Sequence, residues 1–261
     1  LQGERVHGKV IPNGTITGRM THRNPNMAQV PSVSSPYGKE CRSCWIVPEG
    51  YKLVGIDASG LELRMLAHYM DDKDYINEIL HGDIHTTNQK LAGLDSRDQA
   101  KTFIYALIYG AGDAKLGKIL NASKTEGTEI RNRFLTNLPA LDTLTDKVKK
   151  AAQRGYLKGL DGRKLFVRSE HSALNTLLQG GGAIVMKQAM DILYNLIKLN
   201  TFDAKFVANI HDEWQIQVRE TQVEAVGTVG VQSIHKAGDH FNLRCPLDGE
   251  FKVGESWYET H

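Results

Sequence analysis

An apolar run from Tyr51 to Ile56 stops on an aspartate, Asp57, and far along the chain a second run, Phe206 to Ile210, stops on His211-Asp212-Glu213. A third run, Trp214 to Val218, follows at once. Short apolar runs bounded by polar residues read as buried strands, and the last two flank a hairpin tip. Strands so distant in sequence can still lie side by side in one sheet. Everything between them reads differently, because from Asp72 to Arg154 the pattern is mostly helical. The order of strand, helical block and hairpin specifies an α+β chain, with helices inserted between pieces of sheet.

Ser59 or Asp57 can cap a helix carrying Leu61, Leu63, Leu66 and Ala67. The clearest helix runs from Ser96 to Tyr109 and ends at Gly110 and Gly112, a glycine-rich stop. Asp161-Gly162 sits inside a stretch from Gly159 to Arg168 that signals a hairpin. A long helix is predicted from Leu174 to Leu199. The first fifty residues, rich in Gly, Pro, Asn and Ser, read as turns between short extended pieces.

Composition narrows the class. The 261 residues are 41% hydrophobic and 24% charged, values that suit a globular core and give no sign of disorder. No apolar run approaches the ~20 residues of a membrane span, so no membrane partner is expected. Three cysteines cannot build a disulfide framework, which points to a reducing, cytoplasmic setting. Cys41 and Cys44 have the spacing of half a zinc site. No second pair or nearby histidine completes it, so the plainer reading is two small half-buried residues before a strand. Net charge is only +2, yet Lys147, Lys149, Lys150, Arg154, Lys158, Arg163, Lys164 and Arg168 fall in one stretch. That stretch is either a solvated face or a groove that tracks phosphates.

Two constellations carry chemistry. Asp57 and Asp212 each sit where a strand ends, so one sheet can bring both carboxylates to its rim. Magnesium commonly takes one or two carboxylates plus substrate phosphates, and two such ions ~3.5–4 Å apart can activate a hydroxyl and stabilise a leaving oxygen. Alone, each aspartate is more simply a helix cap or turn residue. On the helix after Ser96, Arg97, Lys101, Tyr105 and Tyr109 recur every four residues and form one stripe, while Phe103, Ile104, Leu107 and Ile108 can pack elsewhere. Two cations followed by two aromatics suit a nucleoside triphosphate; an amphipathic helix with a solvated basic edge accounts for the spacing equally well.

These residues resemble the DNA polymerase I family (family A), its replicative phage members above all. Asp57 to Arg64, Asp-Ala-Ser-Gly-Leu-Glu-Leu-Arg, is similar to motif A; Arg97 to Gly110 is similar to motif B; His211-Asp212-Glu213 is similar to motif C. Thr17 to His22, His81 to His85 and Gly159 to Arg163 extend the resemblance along nearly the whole chain. It implies a polymerase palm, an antiparallel sheet with helices over residues 1–70 and 159–261, and an inserted helical fingers subdomain over 71–158. It implies DNA-directed DNA synthesis with two Mg2+ ions, held by Asp57, Asp212 and the Ala58 carbonyl. Arg97, Lys101 and His85 would hold the incoming deoxynucleoside triphosphate, with Lys101 also giving a proton to the leaving pyrophosphate. Glu62 and Tyr105 would form a steric gate where a ribose 2′-hydroxyl falls. Tyr109 and Gly110 would adjoin the template base, His211 the primer terminus, and Arg19, Asn175 and Gln179 the minor groove of the primer-template DNA.

Departures from the family pattern are also visible. Gly180, Gly181 and Gly182 interrupt the long helix, each costing up to ~1 kcal/mol against alanine; the helix is either weak there or lets the DNA backbone approach. Trp214 stands where a smaller aliphatic residue is usual, and Cys44 has no family role. A thumb, and often an exonuclease domain, should precede Thr17, so both are expected to be missing and a separate thumb-bearing polypeptide or processivity factor is the partner implied. A phage-infected or bacterial cytoplasm is the implied location. The rivals are a single-subunit RNA polymerase, against which Glu62 beside Tyr105 argues, and a non-catalytic nucleic-acid-binding module, against which both aspartates argue.

Overall fold

The structure, a computed structural model, describes residues 5–261. It divides into two compact units, residues 1–61 with 182–261 and residues 62–181, and each is described by itself.

The first unit is built on a four-stranded antiparallel sheet. β3 (Tyr51–Ala58) lies at its centre, paired with β7 (Glu213–Arg219) on one side and β8 (Gly249–Gly254) on the other; β6 (Ala204–Ile210) pairs with β7 at the edge. Side chains alternate across a strand, so β3 presents two different faces. Val54 and Ile56 are fully buried on one face, under α10 (Val223–His240), where Gly230 lets the helix sit against Ile56 and Gly227 against Phe251. Leu53, Gly55 and Asp57 occupy the other face. There the segment Trp257–His261 crosses Gly55 so closely that a Cβ would lie 2.3 Å from the Thr260 carbonyl oxygen. Leu53, Ile210 and Trp257 form a small core on that side, joined by Met27, Val30 and Trp45. A two-stranded ribbon, β1 (Lys9–Ile11) with β2 (Thr21–Arg23), and the short helix α1 (Gly38–Ser43) complete the unit. The expectation of turns and short extended pieces missed α1.

The second unit is helical. It takes α2 (Leu61–Met70) from Glu62 onward, then α3 (Lys73–His81), α4 (Ile84–Ala92), α5 (Arg97–Ile108), α6 (Asp113–Ile119), α7 (Lys124–Asn137) and α8 (Pro139–Ala152). Ser96 caps α5 by accepting from the Gln99 amide, and Ser123 and Glu126 form a reciprocal capping box on α7. Phe103 and Phe134, both fully buried, meet edge to face with ring centroids 5.3 Å apart. The hairpin of β4 (Tyr156–Lys158) and β5 (Lys164–Phe166) follows, with Gly162 at positive φ in its turn.

The long helix α9 (Ala173–Leu199) runs through its three glycines without a break. A Cβ at Gly180 would meet the Leu165 side chain at 2.5 Å, and one at Gly181 would meet Met65 at 2.6 Å. These glycines give neighbouring protein elements room, and their propensity cost is offset by packing. Trp214 is fully buried and stacks edge to face with Phe206 at 6.3 Å, so the large residue fills core. Cys44 is exposed rather than half-buried, its Sγ donating to the Glu40 carbonyl, and Cys41 and Cys44 lie in and just after α1. No helix among the described residues is long and apolar enough to cross a membrane.

Candidate active site

In the first unit, strand register gathers acidic residues at one end of the sheet. Asp57 on β3 stands opposite Glu213 on β7 and opposite Glu250 on β8, so three carboxylates line up across three strands. The Ala58 amide donates to the Asp212 carbonyl at 3.2 Å, which ties the end of β3 to the β6–β7 hairpin tip. Like charges directly opposite one another in a sheet are destabilising. Burial, and then the charges of Asp212, Glu213 and Glu250, push the Asp57 carboxyl up to about 7. Asp57, Glu213 and Glu250 line a cleft with Gly55, Lys252, Thr260 and His261. Asp212 opens into another cleft, lined also by Arg19, Lys187, Asn209 and His211.

Glu213 stays ionised for a different reason. Burial opposes its charge, but His261, the Gln215 amide and the Trp257 indole all hydrogen-bond to it and hold it below the usual carboxylate range. Trp257 Nε1 donates to Oε1 at 2.9 Å, and Gln215 Nε2 to the same oxygen at 2.6 Å. Asp57 has no such set of donors in its cleft. The donor chemistry at the rim therefore fits a hard divalent cation: two aspartates tied through the Ala58–Asp212 contact, one of them held back from ionising by burial and then by the negative charge around it. No cluster of three or more His, Cys, Asp or Glu side chains with metal-binding geometry occurs among the described residues.

His211 sits at the hairpin tip with φ 57°. Desolvation, and then the charge of Arg19, push its imidazole below the ordinary value, against the pull of Asp212. Arg19 and His211 thus share the cleft that Asp212 opens into.

In the second unit, α5 turns Phe103, Ile104, Leu107 and Ile108 inward and leaves Arg97 and Lys101 exposed, with Tyr105 half-buried. Tyr109 is the residue after the helix rather than its last turn, and Gly110 follows with φ 78°. A Cβ at Gly110 would lie 2.6 Å from the His171 carbonyl oxygen, so glycine is required by both conformation and space. His85, near the start of α4, faces Tyr105 with ring centroids 6.3 Å apart. Burial, then Arg97 and Lys101, push its imidazole down, and its buried Nδ1 has no hydrogen-bond partner among the described residues. His85 therefore sits in the positive field of Arg97 and Lys101, which favours its neutral form. Asn175 and Gln179, four apart on α9, share a helix face and are both half-buried.

Two contacts here escaped sequence reasoning. Asp83 caps α4 and also takes the Arg97 Nε at 2.6 Å, which with the Thr86 hydroxyl holds its carboxyl well below the usual range. Glu62, which the motifs pair with Tyr105, accepts from the Tyr109 phenol at 2.5 Å. The His-Gly-Asp-Ile-His segment held the signal for Asp83, as an aspartate before a helix. Nothing local marks the Tyr109–Glu62 contact.

The four-stranded antiparallel sheet, with Asp57 and Asp212 at one end, and the helices of the second unit make an α+β fold. The family model for DNA polymerase family A matches residues 1–259, and the chain belongs to that family. The DNA-directed DNA polymerase of enterobacteria phage T3 is 43% identical over 98% of the chain, and that of Escherichia phage T7 is 42% identical over the same share. DNA polymerase I of Caldicellulosiruptor bescii is 31% identical over 98%. The chain spans 41% of the length of each phage enzyme and 32% of the bacterial one. A solved structure, the POL domain of Pol1 from M. smegmatis in complex with DNA primer-template and dNTP, superposes with a TM-score of 0.91 at 24% identity, covering 99% of this chain and 49% of that one. That likeness establishes the fold.

Proposed function

We propose that this chain carries the palm and fingers of a DNA-directed DNA polymerase, extending a primer 3′-hydroxyl along a template from deoxynucleoside triphosphates. The observation that carries the reading is the end of β3, where the Ala58 amide reaches the Asp212 carbonyl: two aspartates from strands remote in sequence are brought together, one pushed up to about 7 by burial and then by its acidic neighbours. Such a rim suits Mg2+, held by Asp57, Asp212 and the Ala58 carbonyl. When bound, a pair of such ions activates the attacking hydroxyl and stabilises charge on the leaving pyrophosphate.

The protein's own residues supply binding and orientation. Arg97 can grip phosphate oxygens in a fork while Asp83 fixes its direction; Lys101 gives a point charge and a proton; His85 can take a proton as phosphate arrives. Tyr105 and Glu62 would exclude a 2′-hydroxyl, the latter braced by Tyr109. Arg19, Asn175 and Gln179 would test pair shape through minor-groove acceptors common to all base pairs, with Tyr109 and Gly110 against the template base and His211 near the primer end. In this reading palm function belongs to residues 1–70 and 159–261 and fingers function to 71–158. The compact units divide at 61/62 and 181/182. A thumb-bearing polypeptide or processivity factor is the further partner, and a bacterial or phage-infected cytoplasm the setting.

Primer extension tests this directly. Asp57→Asn and Asp212→Asn keep shape and remove charge, and each should slow extension by at least about a thousandfold, several kcal/mol of barrier. Extension within a few-fold of the unaltered protein would sink the proposal.

A further inference from the structure

The rim is supported from beneath by residues that no catalytic motif contains. Arg42, on α1, is buried, with its Nε donating to the Pro31 carbonyl at 2.8 Å and its buried Nη1 without a hydrogen-bond partner among the described residues. Its guanidinium lies over the Trp257 indole, Cζ 4.3 Å from the ring centroid. Trp257 is buried in turn. Its backbone amide donates to the Trp45 carbonyl at 3.0 Å, and its indole N–H donates to Glu213 at 2.9 Å. Thr260 continues the same layer by donating to Gln215, whose amide donates to Glu213. The result is a buried chain of contacts from a cation, through an aromatic face, to the carboxylate that follows Asp212 in sequence and faces Asp57 in register.

An arginine in a dry site is costly unless its charge is used. Here the guanidinium covers the electron-rich face of the indole, which makes the edge N–H a better donor, and the Arg42 and Glu213 charges attract one another. Glu213 needs such a hold. Standing opposite Asp57, a loose glutamate would swing toward the metal-binding aspartates, adding a competing ligand or pushing Asp57 aside.

We propose that Arg42 and Trp257 are positioning residues for the metal site: by clamping Glu213 they keep Asp57 and Asp212 as the cation-binding pair and set the affinity of the rim for a divalent ion. The proposal rests on the polymerase reading of that rim. Outer contacts of this kind govern metal affinity as well as ligand direction.

The test is manganese binding followed by electron paramagnetic resonance, on the protein without DNA or nucleotide, beside primer-extension kinetics. Trp257→Phe keeps a ring beneath Arg42 and removes the N–H. It should raise the half-saturating manganese concentration roughly tenfold and lower kcat, with KM for deoxynucleotide nearly unchanged. Arg42→Met should do the same, and Arg42→Lys, which restores a cation over the ring, should recover part of the affinity. If Trp257→Phe does not fold, the Arg42 pair decides. Unchanged manganese affinity in the folded variants, whatever happens to kcat or melting, would overturn the proposal and leave a packing role only. If the unaltered protein binds manganese at Asp57 and Asp212 but extends no primer, the polymerase reading fails while the manganese titration still judges the clamp.

Discussion

Asp57 concentrates the electrostatic tension of the first unit. Its folded carboxyl titrates at about 7 against an ordinary 3.8, chiefly through burial and then through Asp212, Glu213 and Glu250. Between those two values the folded chain keeps a proton that the unfolded chain has released. The stability from this group is therefore full below about pH 4 and is lost as pH rises through about 7. In chelator, the melting temperature should fall between pH 5 and pH 8. Asp57→Asn, which cannot ionise, should flatten that fall and leave the metal-free protein more stable at pH 8. Magnesium should restore stability at pH 8 far more than at pH 5, since only the ionised rim attracts it. Thermal melts at both pH values, with and without the ion, check all three outcomes. A metal-free Asp57→Asn that melts below the unaltered protein at pH 8 would show that shape, not charge, dominates at this position.

At the scale of elements, α5 behaves as a device with two sides. Its inner side is core: Phe103 and Ile104 are fully buried, and Phe103 locks against Phe134 of α7. Its outer side carries Arg97 and Lys101, and α4 supplies both His85 and the Asp83 that aims Arg97. Lys101→Ala should slow nucleotide incorporation while duplex binding changes little. Asp83→Asn should raise KM for deoxynucleotide several-fold through lost orientation of Arg97, with smaller effect on kcat. Single-nucleotide insertion kinetics separate the two; equal losses in nucleotide and duplex binding for Lys101→Ala would make it a general phosphate contact. The stripe on α5 was legible because helical spacing alone places its residues. So were β3, β6 and β7, whose apolar runs end on the aspartates. The helix α10 and strand β8 were not, for a physical reason: Gly227 and Gly230 lower helix propensity, and they are there to let Phe251 and Ile56 approach. The clamp beneath Glu213 was equally hidden. Arg42, Glu213 and Trp257 come from three distant parts of the chain, and each alone reads as an ordinary charge or core aromatic.

For the molecule as a whole, a net charge of +2 understates how cations are placed. The eight from Lys147 to Arg168 fall at the end of α8, on the β4–β5 hairpin and in the segments beside it, all within the second unit. Seven are exposed and Lys149 is half-buried. Some are already engaged: Arg163 pairs with Asp161 at 2.7 Å, and Lys164 lies over the Tyr156 ring at 4.7 Å, with Arg154 on that ring as well. Lys147, Lys150 and Lys158 have no ion pair among the described residues and are the better candidates for phosphate. A solvated face and a phosphate-tracking groove predict different salt behaviour. Each phosphate contact releases condensed counterions and adds about 0.9 to the slope of log affinity against log salt concentration. Changing Lys147, Lys150 and Lys158 to Ala together should weaken primer-template binding at low salt and lower that slope by up to about 2.7 if all three touch phosphate. Deoxynucleotide KM should hardly move, because Arg97, Lys101 and the His85 beside them are untouched. Fluorescence anisotropy of a labelled duplex across a salt series gives the slope, and insertion kinetics at saturating duplex give KM. An unchanged slope in the triple variant would assign the stretch to solvent, and the duplex would then have to be held elsewhere.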